Sequence, residues 1–295
     1  MGWKGKGEGM TSTAQSVNLS GRALVRVTGE DAEKFLQAII TTDLDDLNPG
    51  ELKPGALLTP QGKILFDFLV SRIEGGLRFD LPAPQAADFA RRLTLYRLRA
   101  KAEIALENES PMSVFWQNES GSSQNSVVRD CRFPAELNVL RHYGVPGGTA
   151  DETAWTALRI AHGVAEAGRD YALGDAFPHD VNLDQTEGVS FRKGCFVGQE
   201  VVSRMQHRGT ARRRVLIATG DADLQAPGTP LTAGGREIGT LGSVVGNRAL
   251  ALARIDRVKE AMDQGTPILA GDVAVTLAIP PQARFGFPEQ ASENA

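Results

Sequence analysis

The chain has 295 residues, of which 41% are hydrophobic, and its formal net charge is -4 at pH 7. The length predicts about two domains, and the acidic balance argues against a protein that coats nucleic acid through a basic surface. No apolar run approaches the roughly 18 residues of a membrane span, and two widely separated cysteines, Cys131 and Cys195, argue against a disulfide framework and favour a cytoplasmic protein.

The first half of the chain predicts an α+β fold in which helices pack on a mainly antiparallel sheet. We expect a disordered tail over residues 1–16, which hold almost no apolar side chains and no targeting pattern. Apolar runs predict strands over residues 22–27, 56–58, 64–70, 77–81, 101–106, 114–116, 127–128 and 137–140. Apolar residues three and four apart predict helices over residues 32–40, 83–98 and 151–162, the last capped by Asp151.

The second half is less regular. A polar, Ser-rich segment over residues 118–126 predicts a surface loop, and the many turn signals between residues 163 and 190 predict a long irregular stretch, which is usually functional. Short apolar strands separated by Gly and Pro predict a small β-barrel over residues 212–285. We expect a second disordered tail over residues 286–295.

The most informative stretch is the loop over residues 191–200, which contains Lys193-Gly194-Cys195-Phe196-Val197-Gly198-Gln199-Glu200. Its two glycines predict a tight, shaped backbone. Only Gly194 separates Lys193 from Cys195 along the chain, so the lysine ammonium can lower the pKa of the thiol, as suits a nucleophile, a metal-cluster ligand or a redox sensor. The alternative is that Cys195 is a small buried apolar residue beside Phe196.

An arginine cluster follows this loop. Arg204, Arg208, Arg212, Arg213 and Arg214 fall within eleven residues that hold no acid. Such a cluster suits an anionic ligand, since guanidinium groups bind carboxylates and phosphates in pairs of hydrogen bonds. The alternative is a solvated strand edge guarded by charge.

Just upstream, residues 177–184 gather Asp180, Asn182 and Asp184. A carboxylate here can accept hydrogen bonds from a donor-rich heterocycle such as an aminopyrimidine. Turn and capping roles are the usual alternative for Asp and Asn. The motifs of zinc proteases, dinucleotide-binding proteins, P-loop NTPases and GxSxG hydrolases are missing from the sequence.

The loop over residues 193–200 resembles the KGC[YF]xGQE signature of the YgfZ-type folate-binding proteins, relatives of the glycine-cleavage aminomethyltransferase, the T-protein. Dispersed matches accompany it on both sides, among them Gln61-Gly62-Lys63, Leu158-Arg159-Ile160 and Arg208-Gly209. The resemblance covers roughly residues 17 to 285. It implies an aminomethyltransferase-like, folate-binding α+β region over residues 17–211, made of two subdomains that form a ring with the barrel around a central cavity.

The resemblance also implies a function. It suggests a cytoplasmic, monomeric factor that binds tetrahydrofolate and supports assembly or repair of four-iron clusters, including those of radical tRNA-modifying enzymes. The expected partners are iron–sulfur carrier or client proteins, with no membrane, no nucleic acid bound directly and no intrinsic metal. Cys195 and Lys193 form the expected functional thiol loop. The expected folate-binding residues are Asp180, Asn182, Gly194, Gly198, Gln199, Glu200, Arg204, Arg208 and Arg213.

Departures from the T-protein pattern leave enzymatic activity open. Where the T-protein uses a glutamate to hold the pterin ring, this chain has Ala161. The amine-activating aspartate of that enzyme would fall near Asp88, on a loose alignment in which an exposed helical acid is the simpler interpretation. A folate-dependent one-carbon transferase is therefore one alternative function, and a non-catalytic scaffold for a cluster carrier is another.

Overall fold

The computed structural model describes residues 15–107, 111–116, 126–148, 150–209 and 211–288. Its strands are β1 (Gln15–Asn18), β2 (Arg22–Thr28), β3 (Glu51–Leu58), β4 (Ile64–Ile73), β5 (Gly76–Pro82), β6 (Glu103–Glu107), β7 (Met112–Trp116), β8 (Val127–Asp130), β9 (Leu140–Tyr143), β10 (Arg213–Gly220), β11 (Pro230–Ala233), β12 (Arg236–Val245), β13 (Arg248–Arg254), β14 (Ile268–Ala270) and β15 (Val273–Ala278). Its α-helices are α1 (Ala32–Gln37), α2 (Ala83–Arg97), α3 (Glu152–Ala161), α4 (Gln199–Arg208) and α5 (Ile255–Gln264). The α+β fold predicted from the sequence is confirmed.

Nine strands of the described chain form one sheet, in the order β1-β7-β9-β8-β3-β4-β5-β2-β6. Neighbouring strands are antiparallel except β3 and β8, whose parallel ladder holds only the pairs Glu51↔Arg129 and Leu52↔Asp130. This short ladder divides the sheet into two halves. The halves agree with the two subdomains implied by the resemblance.

Each half of the sheet has its own hydrophobic core. In one, Phe68 and Phe79 meet Phe89 of α2 at ring-centroid distances of 5.4 and 5.3 Å. In the other, Trp155 of α3 packs 6.0 Å from Trp116 of β7. Large aromatic side chains contribute much of the burial free energy of a core. Each half of the sheet is therefore stabilised by an aromatic cluster of its own.

The remaining strands close into a barrel in the order β10-β13-β12-β11-β14-β15, with β10 also pairing with β15. Helix α5 packs on the barrel core through Ile255, Val258 and Ala261. This helix was not predicted, since residues 212–285 were expected to form only short strands and turns. The three-residue spacing of its apolar side chains was the available signal, and the apolar run of β13 that leads directly into Ile255 concealed it.

Several predicted boundaries change. Helix α1 ends at Gln37 rather than near residue 40, because the chain turns there and Ile40 forms a bridge to Leu57. Strand β1 begins at Gln15, inside the predicted tail, where it pairs with β7.

Three predicted segments lie wholly or largely outside the described residues: residues 1–14 of that tail, the Ser-rich segment apart from Ser126, and residues 289–295. The predicted cap of α3 is confirmed: Asp151 Oδ1 accepts a hydrogen bond from the Ala154 amide at 3.0 Å.

One apolar cluster connects the sheet to the barrel. It joins Leu58 and Ile64, at the turn end of the β3–β4 hairpin, to Phe196, to Val202 of α4 and to Val215 of β10. The loop over residues 191–198 is therefore held between the hairpin and the barrel. Across the residues that the structure describes, no helix has both the length and the apolar character needed to cross a membrane.

Candidate functional site

The loop over residues 191–198, which we call the signature loop, follows a segment that is bonded to the chain just after α1. The hydroxyl of Thr41 donates to the carbonyl oxygen of Gly188 at 2.6 Å, and the Ser190 amide donates to the Thr41 carbonyl at 2.9 Å. The Ser190 hydroxyl donates to Asp43 Oδ2 at 3.1 Å. Although burial acts in the opposite sense, hydrogen bonds from Gln37 and Ser190 hold the pKa of Asp43 below its ordinary value. The entry to the signature loop is thus fixed by backbone and charged partners.

Gly198 fixes the exit from the loop. It caps α4 at φ 78°, and an added Cβ would lie 2.6 Å from the carbonyl oxygen of Thr59. Gln199, the first residue of α4, accepts a hydrogen bond from the Phe196 amide through Oε1 at 3.3 Å. A glycine is required here both for the backbone conformation and for the close approach of the β3–β4 hairpin.

Lys193 points into the protein. Its Nζ donates to the carbonyl oxygens of Thr42 and Ile40 at 2.7 and 2.9 Å and to Gln37 Oε1 at 3.3 Å. Burial lowers the pKa of this ammonium to about 8, while the carboxylate of Asp43 acts in the opposite sense. Its donors are directed at the chain after α1, so the geometry gives Lys193 a positioning role instead of the expected charge beside the thiol.

Cys195 faces solvent. The residue is exposed, as are Arg192 and Gly194. At Gly194 an added Cβ would meet no atom within 4 Å, so the backbone before the thiol is open. A thiol that the sequence allowed to be a buried apolar group is instead presented at the surface by buried neighbours, Lys193 and Phe196.

The arginine cluster is not one strand. Residues up to Arg208 form α4, which ends at Gly209 with φ 58°, and only Arg213 and Arg214 lie on β10. Arg204 is exposed and donates to Glu200 Oε1 at 2.7 Å, one helical turn away. Arg208 is exposed in the last turn, where a cation is favoured by the helix dipole. For Arg204 and Arg208 the strand edge considered as an alternative is wrong, because Gly198 and Gly209 delimit a helix.

Asp180, Asn182 and Arg213 lie close together, but their hydrogen bonds join the chain segments to which they belong. Arg213 Nη2 donates to Asp180 Oδ2 at 2.8 Å, and the same oxygen accepts from the Phe177 amide at 3.0 Å. Asn182 Nδ2 donates to the Val215 carbonyl at 2.9 Å. These polar groups attach the irregular stretch over residues 175–185 to the first barrel strand.

Arg214 makes the same attachment at greater depth. It forms a bidentate pair with Asp184, with Nη1–Oδ1 and Nη2–Oδ2 distances of 2.5 and 3.0 Å, and both side chains are buried. The same guanidinium donates to the carbonyl oxygen of His179 at 2.8 Å. Its charge is therefore matched inside the protein.

A polar cavity of about 160 Å³, which was not predicted from the sequence, lies between the start of β2 and α3. Its lining includes Arg22, Glu152, Trp155, Glu166 and Arg169. Arg169 and Glu152 form an exposed ion pair there, with side chains 51% and 57% accessible. Arg22, by contrast, is largely buried and donates to Asp80, so one wall of the cavity carries a fixed guanidinium.

Glu166 is the more buried of the two carboxylates that line this cavity. Burial by itself would raise its pKa, but the guanidinium groups of Arg159, Arg22, Arg132 and Arg141 lower the pKa to about 2. Arg159 Nε lies 3.6 Å from Glu166 Oε2, and in the described residues no side-chain hydrogen bond to this carboxylate is found. Glu166 is thus an ionised acceptor with unused hydrogen-bonding capacity beside a cavity.

A second carboxyl, Asp67, lies near enough to Arg22 and Glu166 for their charges to act on it. Tyr171 donates its hydroxyl to Asp67 Oδ2 at 2.7 Å, and Oδ1 is buried without a hydrogen-bond partner in the described chain. Burial raises the pKa of Asp67 above its ordinary value. Asp88, by contrast, is 62% accessible on α2 and pairs with Arg91. Asp67 was missed because its partner is 104 residues away.

Known proteins resemble this chain over most of its length. Residues 212–285 match the family model "CAF17, C-terminal beta-barrel domain". A mitochondrial iron–sulfur cluster assembly factor IBA57 homolog from Chaetomium globosum is 33% identical over 71% of this chain and 57% of its own length. The human mitochondrial iron–sulfur cluster assembly factor IBA57 is 30% identical over 82% of this chain and 78% of its own. The chain belongs to the IBA57 family of iron–sulfur cluster assembly factors.

The fold has a solved counterpart. The aminomethyltransferase T of the glycine cleavage system from Bartonella henselae matches with a TM-score of 0.69 at 17% identity, over 92% of this chain and 86% of that one. The T-protein-like fold implied by the resemblance is therefore confirmed. This chain spans little more than half the length of the Chaetomium relative, so activity, substrates and partners remain matters of proposal.

The expected cytoplasmic location is wrong. The Chaetomium and human relatives are both named as mitochondrial proteins, which points to the mitochondrion. The prediction rested on a reducing compartment, inferred from few cysteines, and on the lack of a recognisable targeting pattern. Cysteine usage separates oxidising from reducing compartments but does not separate one reducing compartment from another.

Proposed function

We propose that this protein supports the assembly or repair of iron–sulfur clusters, four-iron clusters in particular, in client enzymes that include radical tRNA-modifying enzymes. Membership of the IBA57 family supports the general role. The single observation that carries the proposal is the exposed thiol of Cys195, on a loop whose two ends are fixed by Lys193 and Gly198. An accessible thiol on a firmly held backbone suits a group that meets a partner's cluster.

The chemistry requires ligands from a second protein. Iron–sulfur clusters are held by several thiolates, and the other cysteine of this chain, Cys131, is poorly suited to the task. Its Sγ donates to the Arg129 carbonyl at 3.5 Å, and burial raises its pKa to about 11. Cys195 is therefore the one cysteine offered to a cluster, which fits a handover between this protein and an iron–sulfur carrier or client.

We also propose that the protein binds tetrahydrofolate or a related folate, as in the YgfZ-type branch that the signature resembles. The residues at the polar cavity fit such a ligand, because its aminopyrimidine ring presents N–H donors and Glu166 is an ionised acceptor with no side-chain hydrogen bond among the described residues. Of the two arginines that line the cavity, Arg22 is paired with Asp80, so the anionic tail would bind at the accessible Arg169 in place of Glu152. Asp180 suits the ring less well than Glu166 does, since its Oδ2 already accepts hydrogen bonds from Arg213 and from the Phe177 amide.

In this arrangement the protein's own groups have distinct tasks. Glu166 orients the ring, Asp67 lies outside the cavity lining and acts on it through its electrostatic coupling to Glu166 and Arg22, and Tyr171 holds the Asp67 carboxyl in place. When bound, tetrahydrofolate would supply a carrier for one-carbon units. Ala161 contributes no carboxylate, so Glu166 stands in for an acceptor that the T-protein pattern places on α3.

One-carbon transfer is the second candidate function, and Asp67 is the observation that favours it. A buried carboxyl with a raised pKa close to a polar cavity is a candidate for moving a proton. Formation of methylene-tetrahydrofolate from candidate amine donors, lost in Asp67→Asn, would support catalysis. Rescue of client enzymes by Asp67→Asn without any such turnover would support the assembly role alone.

Rescue separates the assembly role from a passive scaffold. Cells lacking the endogenous protein are supplied with wild type, Cys195→Ala or Cys131→Ala, and the activity of a four-iron enzyme is measured. We expect rescue by wild type and Cys131→Ala but not by Cys195→Ala. Full rescue by Cys195→Ala would leave a scaffold that needs no thiol.

A further inference from the structure

The two most exposed leucines of the described chain lie at the C-terminal end of α2, Leu95 within the helix and Leu98 directly after its last residue. Leu95 is 64% and Leu98 is 85% accessible. Their spacing of three residues places them near each other at the C-terminal end of the helix. The opposite face of α2 is already buried, since Ala86, Phe89 and Leu93 pack into the sheet core. The two leucines are therefore not part of an unfinished intramolecular core.

Leu98 also has an unfavourable backbone. It follows the last residue of α2 at φ 48° and ψ -106°, in a region where a Cβ clashes with the backbone and glycine is the usual residue. Helices commonly end on a glycine with positive φ for this reason. At Leu98 the strain is not offset by burial within the chain, because the side chain is almost wholly in water. Strained residues of this kind are typical of functional positions.

Positive charge surrounds the leucines. Arg91 and Arg92 lie four and three residues before Leu95 on the same side of α2, and Arg99 directly follows Leu98 beyond the end of the helix. Arg91 forms an exposed pair with Asp88, and Arg92 lies 6.0 Å over the Tyr96 ring. In the part of the chain that the structure describes, Arg92 and Arg99 have no carboxylate partner. A local excess of cations on a protein of net charge -4 attracts an acidic surface.

We propose that the α2 end patch, defined as Arg91, Arg92, Leu95, Leu98 and Arg99, docks an acidic partner protein with an apolar pocket that receives Leu98. The pattern is that of a binding hot spot, in which an apolar anchor is surrounded by a polar rim. An anionic membrane is less suited to it, because only two apolar side chains project from a helix whose other face is buried. Docking at this patch is independent of the cavity and of Cys195.

The strain at Leu98 allows a direct test with the whole 295-residue chain. The variant Leu98→Gly relieves the backbone strain and removes the anchor, whereas Leu98→Met keeps an apolar side chain of similar size. The probe is a fluorescent helical peptide of about 16 residues with leucines on one face and glutamates on the other. A control peptide carries lysine in place of every glutamate. Binding is measured by anisotropy, and the thermal midpoint of each variant is measured without peptide.

We expect wild type and Leu98→Met to bind the acidic peptide and to bind it more weakly as salt rises from ~0.1 to ~1 M. Binding should fall at least about tenfold in Leu98→Gly and in Arg92→Glu/Arg99→Glu, a loss of about 1.4 kcal/mol in binding free energy. The Leu98→Gly midpoint should rise by about 2 °C as strain is removed. Met262→Ala, at an exposed apolar residue of α5, should bind as wild type does.

Three results would overturn the proposal. The first is equal binding of the acidic and basic peptides, which would show that binding does not depend on the charge of the patch. The second is unchanged binding by a folded Leu98→Gly protein, which removes the anchor. The third is binding to cardiolipin-containing vesicles, lost in Leu98→Gly, in the absence of peptide binding, which would assign the patch to a membrane surface instead.

Discussion

Gly198 and Thr59 are in direct backbone contact: a Cβ at Gly198 would lie 2.6 Å from the Thr59 carbonyl oxygen. The contact joins the first residue before α4 to the turn of the β3–β4 hairpin, and so fixes the end of the signature loop. A backbone oxygen cannot move aside as a flexible side chain can. Gly198 also has a φ of 78°, which adds a conformational cost for any other residue.

Gly198→Ala should therefore lower the free energy of unfolding by about 2–3 kcal/mol. The measurement is chemical denaturation at equilibrium. Gly194→Ala is the matched control in the same loop, since an added Cβ there meets no atom within 4 Å, and its stability should stay close to that of wild type. Equal losses in both variants would contradict the claim that Gly198 is tightly packed whereas Gly194 is open.

The buried pair of Arg214 and Asp184 predicts a strong asymmetry between single and double substitutions. Arg214→Met leaves the Asp184 carboxylate buried and unpaired, so we expect a loss of about 3–5 kcal/mol. Replacing both residues, in Arg214→Met/Asp184→Leu, should recover most of that loss. Thermal and denaturant unfolding of the three proteins test this, and a double variant as unstable as the single one would show that the pair contributes more than charge matching.

Lys193 predicts a pH dependence of stability. Its pKa is about 8 in the folded protein and 10.5 as the ordinary value, so between these values the unfolded chain holds a proton that the folded chain has released. Stability should therefore rise with pH over this window, relative to Lys193→Met, by about 2–3 kcal/mol in total, which is less than the full pKa difference implies because solvent partly screens the ammonium. Urea denaturation at pH 7, 8, 9 and 10 measures the difference. A difference that does not change with pH would contradict a buried, destabilised ammonium.

Lys53→Met is the control for that experiment. Burial lowers the pKa of Lys53, but its hydrogen bond to Glu187 outweighs this effect and leaves the pKa raised. The stabilising contribution of Lys53 is thus fully present below its ordinary pKa and is lost only above it. The difference between wild type and Lys53→Met should stay flat between pH 8 and 10.

Glu166 predicts where folate binds. Tetrahydrofolate should raise the thermal midpoint of the wild-type protein, since a ligand bound only by the native state stabilises it by mass action. Glu166→Gln, which removes the ionised acceptor, should reduce the apparent affinity by about tenfold or more. Arg213→Lys, which alters the pair at Asp180, should leave ligand affinity unchanged. The opposite pattern would return the site to Asp180 and Arg213.

Local signals were enough to predict much of the fold. The α3 helix has its Asp151 cap and its apolar spacing within a dozen residues, and the barrel strands are separated by glycine and proline. The order of strands in the sheet could not be predicted in the same way. The β3–β8 ladder joins segments about eighty residues apart, and nothing in either segment specifies the other.

The candidate site was predicted in composition but not in geometry. The signature loop was recognised from consecutive residues, yet the direction of Lys193 depends on carbonyl oxygens about 150 residues upstream. The arginines were treated as one patch because their charges are visible in the sequence. The boundary between α4, which carries Arg204 and Arg208, and β10, which carries Arg213, is not visible there. Glu166 and Asp67 gave no signal, since their unusual environments come from partners distant in the chain.

The most direct test of the cluster-assembly role is anaerobic cluster transfer. Purified protein is incubated with iron, sulfide and an iron–sulfur carrier, and reconstitution of a four-iron enzyme is followed by its absorbance and activity. We expect Cys195→Ala to stay folded, with an unchanged thermal midpoint because the side chain is exposed, and to lose transfer, while Cys131→Ala transfers as wild type does. Undiminished transfer by a folded Cys195→Ala protein would contradict the central claim.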